Sequence, residues 1–104
     1  MGMQNPQVNE PVDKFADVIG ENKPFTLLGI RTVKVTTANY GEGEMVIMRV
    51  AEHPRELSIW GAYLIAQAHA AEPSDFNKRY QVVRRTIAGF GRNGSPVKVI
   101  DPVA

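Results

Sequence analysis

The residue types able to do chemistry in this chain fall into one cluster of cations and a scatter of aromatic rings. Lys78, Arg79, Arg84, Arg85, Arg92 and Lys98 lie between Phe76 and Ile100 with no carboxylate among them. The whole chain carries a formal charge of only +1, so the remainder is mildly acidic. Such one-sided charge is the footprint expected of a site for a polyanion. Tyr40, Trp60 and Phe90 supply rings near turns or strand ends. Cations that follow a phosphate backbone, with rings on which bases stack, are the requirements of single-strand binding. Each stacked base contributes about 1–3 kcal/mol, so two or three rings with several charges suffice.

Catalysis finds much less to work with. The chain has no cysteine, which removes disulfides, thiolate metal sites and thiol nucleophiles, and which suits a reducing cytoplasm. His53 and His69 fall on different elements without a metal-ligand spacing, and each reads as an ordinary surface or helix-face histidine. Ser58, Ser74 and Ser95 lack the context of a nucleophile elbow. Gly89-Phe90-Gly91-Arg92-Asn93-Gly94 matches Gly-x-Gly-x-x-Gly, but no helix follows to receive a pyrophosphate. Glu72 and Asp75 read as a helix-end pair and not as an acid/base dyad. The expectation is a non-enzyme that needs no cofactor and no metal.

Composition places these residues on one small domain. At 104 residues, 43% hydrophobic and 22% charged, the chain suits a single globular core. No apolar run approaches the roughly 20 residues of a membrane span. Residues 1–13, with Pro6 and Pro11 and no hydrophobic period, read as a flexible tail, leaving 14–104 as the domain.

The elements follow from pattern. Phe15, Val18 and Ile19 allow a short helical turn or edge segment, ended by Gly20 and the cluster before Phe25. From Phe25 to Thr37 the alternation changes phase, with Leu28 and Ile30 in one and Val33 and Val35 in the other. A bulge near Gly29 would account for the slip and would bend the strand to serve two sheets. Close backbone contact at Gly29 is an equal alternative. Glu44 to Ala51 and Glu56 to Trp60 read as strands two and three. Ala62 to Glu72 is alanine-rich, with Leu64, Ile65 and Ala68 on one face, and reads as a helix stopped by Pro73. One long helix over 56–71 competes with it, and Gly61 with the Ile59-Trp60 pair argues for strand then helix. Arg79 to Ala88 is a fourth strand, Asn93-Gly94 a hairpin signal, and Val97 to Ile100 a return strand.

The resulting order, β-β-β-α-β-β, resembles the OB-fold, a five-stranded Greek-key barrel. With Leu-Leu-Gly-Ile-Arg-Thr-Val in the first strand and Ser-Ile-Trp-Gly before the helix, the chain is similar to the short single-stranded-DNA-binding proteins of phages and plasmids. That resemblance implies a cytoplasmic protein that coats single-stranded DNA during replication or recombination without strong sequence preference. It places the ligand across strands two and three, between the loops joining strands one and two and strands four and five. Tyr40, Trp60, Phe90 and Arg92 then fall along the path, and Lys34, Arg49, Arg84 and Arg85 line it. A lone tryptophan at a strand end is more often core than stacking platform, and the alternation of Trp60 opposite Leu57 and Ile59 only partly offsets that. Arg84 and Arg85 alternate, so only one can face a given groove. DNA and RNA are not distinguished, and self-association through an outer strand face is open. The rival reading is an adaptor that docks on a replication or host protein. A patch of Met45, Ile47 and Trp60 set apart from the arginines would favour it. The acidic C-terminal tail by which many bacterial single-strand binders recruit partners has no counterpart in Asp101-Pro102-Val103-Ala104.

Overall fold

A computed structural model of the chain describes residues 12–37 and 41–103. Its strands are β1 (Val12–Lys14), β2 (Phe25–Thr37), β3 (Gly41–Val50), β4 (Glu56–Ile59), β5 (Lys78–Arg85) and β6 (Val97–Pro102). The helices are α1 (Phe15–Val18) and α2 (Ala62–Ala70), with short 3-10 turns at Pro73–Asp75 and Arg92–Gly94. All six strands form one sheet in the order β1-β4-β3-β2-β5-β6. Only the β1–β4 pair is parallel. β2, β3 and β4 run as a meander, and β5 returns through α2 to lie beside β2, which is the Greek-key arrangement.

The expected strand and helix order is present, with one more strand ahead of it. The closed five-stranded barrel is not. Among the described residues no ladder joins β4 to β6, and the sheet stays open. The physical reason lies at the start of the domain. A bare strand edge presents unmet donors and acceptors, and β1 takes the edge of β4 that a closing strand would need. Val12 and Asp13, read from sequence as the end of a tail, belong to that strand.

Local chemistry explains the remaining boundaries. β2 shifts register against β3 between Leu27 and Gly29, so the phase change is a bulge. It falls one step earlier than the sequence pattern suggests: Phe25 and Leu27 are buried, Leu28 is half-buried, and Ile30 rejoins the core. Gly61 separates β4 from α2, where a Cβ would stand 3.0 Å from Leu64 Cδ1. The helix stops at Ala70, short of the expected Glu72. Glu72 and Asp75 instead cap the following 3-10 turn, the Glu72 N–H donating to Asp75 Oδ2 at 2.8 Å. β5 ends at Arg85, and residues 86–96 form a long connection where a tight hairpin was expected. Gly91 is required there, with φ of +83° and no room for a Cβ beside the Ser95 carbonyl oxygen.

The core lies between the inner sheet face and α2. Phe25, Leu27, Val46, Met48, Val50, Leu57, Ile59, Leu64, Val82 and Ile100 form it, joined by Phe15 from α1. The Phe15 and Phe25 rings meet edge to face at 5.4 Å. Gln67 holds α2 to β6 in both directions. Its amide donates to the Ile100 carbonyl at 2.9 Å, and its oxygen accepts the Ile100 N–H at 2.8 Å.

β1 is held by Asp13, which accepts from Arg55 at 3.0 and 3.2 Å and lies 2.7 Å from His53 Nε2. The His53 hydrogen bond lowers the Asp13 pKa most, desolvation opposes it, and the Arg55 charge lowers it further. A folded-state pKa below the ordinary value contributes stability above that value, and the contribution disappears as pH falls through the lowered one. Asp13→Asn should therefore show a shallower acid loss of stability in urea titrations below about pH 4. Phe15→Ala should lower unfolding stability by about 3–5 kcal/mol, because it empties a ring site in the core. A loss under about 1 kcal/mol in the same titrations would mean that α1 merely rests on the surface.

Candidate nucleic-acid interface

Strand register decides which side chains share a face. Cross-strand partners point to the same side of a sheet, and successive residues alternate. Val46, Met48, Leu57 and Ile59 point inward to α2, so Met45, Ile47, Arg49 and Ser58 point outward. Gly29, Arg31, Val33 and Val35 on β2 register with Arg49, Ile47, Met45 and Gly43 and share that outer face. Trp60 continues the outward phase just past β4 and is 48% exposed. The outer face of β2–β3–β4 is thus an apolar stripe with two arginines set into it.

Those arginines differ in their surroundings. Arg31 makes a two-point ion pair with Glu56, at 2.7 Å from Nη2 and 3.3 Å from Nε. Arg31 and Ser58 both register with Ile47, so the pair spans β3 at that level. Ile47 beneath it is only 3% exposed. Arg49 is exposed and forms no ion pair among the described residues. Its guanidinium lies along Gly29, where an added Cβ would stand 3.7 Å from Nη2. A Cβ at that distance would make ordinary van der Waals contact, so the guanidinium lies close over the Gly29 backbone without requiring a glycine there.

The other sequence candidates are distributed differently. Lys34 registers with Glu44 on the opposite, α2-facing side, in a shallow recess that also contains Glu42. Tyr40 lies outside the described residues. Arg84 binds Glu21 through two bonds of 3.0 Å, which hold the Glu21 carboxyl below its ordinary pKa, with Lys98 adding a smaller electrostatic pull. Arg85 pairs with Asp101 on the facing strand. The two arginines do take opposite faces, since Arg84 follows the phase of buried Val82. Phe90 packs back on α2, its ring edge to face with Tyr63 at 5.0 Å. Arg92 is exposed, and its carbonyl caps the turn by accepting from Ser95.

Three of the six cations in the segment are therefore matched by carboxylates. Arg79 approaches Glu52 at 3.7 Å, Arg84 meets Glu21, and Arg85 meets Asp101. Lys98 spends one donor on the Trp60 carbonyl at 3.0 Å. Sequence reasoning passed over Arg31 as a site residue, although its phase with Val33 and Val35 was readable from the slip near Gly29.

Asp13, His53 and Ser58 lie close together, but the Ser58 hydroxyl donates to the Asp13 carbonyl and not to the imidazole. Among the described residues no three His, Asp or Glu side chains are placed to hold a metal ion. No helix among them is long and apolar enough to cross a membrane. No protein-family model, curated protein or solved structure matches the chain.

Proposed function

We propose that this protein binds single-stranded nucleic acid along the outer face of β2, β3 and β4, as an OB-like module of the phage or plasmid kind. The observation that carries the reading is the register that gathers Trp60, Met45, Arg49 and Arg31 on one side of the sheet. OB barrels bind oligonucleotides on the face of their second and third strands, here β3 and β4, and are themselves partly open. The Greek-key order, with α2 ahead of the last two strands, supports the same reading.

Affinity on this face comes from Trp60 as a stacking ring and from Arg49, a cation with no ion pair among the described residues. Arg31 contributes less while Glu56 holds it, because the carboxylate competes with phosphate for the same planar donors. Such binding is insensitive to sequence, since every base offers a π-face and no base-edge reader is needed. It suits a coat on exposed DNA during replication or recombination. Sugar contacts that would tell RNA from DNA have no designated group here.

The adaptor reading is less well supported. Its expected signature was an uncharged patch of Met45, Ile47 and Trp60 away from the arginines. The register instead puts Ile47 opposite Arg31 and places Arg49 two residues along the same strand face.

Fluorescence anisotropy with a labelled dT oligomer tests the proposal. Binding should weaken steeply with salt, with a log–log slope of about −0.7 for each phosphate neutralised. Arg49→Ala should flatten that slope by about one such unit. Trp60→Ala should cost about 1–3 kcal/mol. Arg85→Ala should leave affinity unchanged, because its charge is already spent on Asp101. No binding at low salt would sink the function, and an Arg85→Ala loss equal to that of Arg49→Ala would relocate the interface.

A further inference from the structure

The open seam between β4 and β6 contains a cleft of about 420 Å³. Phe15, Ala16 and Gly20 form one wall, Ser58, Ile59 and Trp60 the other, and Lys14, Glu21 and Lys98 carry the charges around it. This cleft adjoins the outer sheet face, sharing Ser58 and Trp60 with it, and lies beyond Arg31 and Arg49.

We infer that the cleft is a nucleotide subsite, taking one planar base against Trp60 and its phosphate against Lys14 and Lys98. This rests on the single-strand reading above and places one nucleotide of the bound strand. The charges support it. Glu21 is bound at both oxygens by Arg84, so its negative charge is already matched. Lys14 is exposed and makes no ion pair among the described residues. Lys98 uses one of its three donors on the Trp60 carbonyl, leaving two for an anion. With Arg84 cancelling Glu21, the two lysines leave the rim about two charges positive, enough for the single charge of a phosphodiester within a strand and for the roughly double charge of a terminal phosphate monoester.

The walls suit the other half of a nucleotide. Trp60 is a large apolar side chain left nearly half in water, beside the buried Phe15 and Ile59. A ring that slides against it removes apolar surface from both partners. The same lysine that anchors the phosphate also fixes the Trp60 backbone, so the stacking ring and the anion site are positioned together.

Trp60 is the sole tryptophan of the chain, so its emission reports on this cleft directly. Titration with dTMP should quench it saturably, and thymidine at the same absorbance should do so at least several-fold more weakly. Lys98→Met and, separately, Lys14→Met should remove most of that difference while circular dichroism shows the fold intact. Arg49→Ala should leave the dTMP curve unchanged and weaken a dT oligomer. Equal quenching by thymidine and dTMP, or none by either, overturns the subsite. If the oligomer still binds in that case, the single-strand reading survives without it. Quenching by dTMP with no oligomer binding upholds the cleft as a site for a free nucleotide and overturns the strand-binding role. A 5′-phosphorylated oligomer that binds more tightly than its 5′-hydroxyl counterpart, by a margin lost in Lys98→Met, assigns the occupant to a strand end.

Discussion

β2 must serve two neighbours at once, and most of the molecule follows from how it does so. It pairs with β3 over nearly its whole length, yet reaches β5 only through Phe25–Leu27. A regular strand would keep one set of side chains inward throughout. The bulge between Leu27 and Gly29 lets the strand bend, so that Phe25 and Leu27 enter the core before it and Ile30 after it. Beyond the bulge, Arg31, Val33 and Val35 turn outward together. The same irregularity therefore seats the core and sets up the face proposed to bind a strand. The Arg49 guanidinium lies over the backbone at Gly29, next to that bulge.

The seam is the complementary feature. Lys98 of β6 reaches the Trp60 carbonyl just past β4, and a ladder between these two strands would complete a barrel. β1 intervenes by pairing with β4, and Phe15 follows it into the core. Between β4 and β6, among the described residues, Lys98 donates to the Trp60 carbonyl where a ladder would otherwise run. An opening of this kind exposes apolar surface between polar ends, which is the usual setting for a small ligand. Asp13, fastened by His53 and Arg55, thus maintains the shape of the cleft as well as the position of β1.

Electrostatics show how far pairing can redistribute a charge pattern. The segment from Phe76 to Ile100 contains no acid, yet three of its six cations meet carboxylates. Glu21 and Glu52 come from far earlier in the chain, and Asp101 lies one residue past the segment on the facing strand. Exposed pairs of this sort add little stability. Their larger effect here is on function, because an arginine held by a carboxylate is a poor phosphate ligand. Phe90 follows the same logic in apolar terms. A phenylalanine between two glycines needs a partner, and Tyr63 on α2 provides one.

The sequence alone determined the β-rich class, the order of the main strands and helix, and the irregularity near Gly29. Those are local matters: alternation, alanine content and turn residues act over a few positions. It also showed that Trp60 ends a strand, but not whether that ring is core or surface. Tertiary structure decided the face each residue joins, since the bulge position sets the phase and a shift of one residue exchanges inside for outside. It also decided that the barrel stays open, because β1 competes for an edge through pairing with residues far along the chain. Charge was the least legible property of all. The cations looked free in sequence because their partners, Glu21 and Glu52, are brought to them only by the pairing of β2 with β5 and by the turn that follows α1.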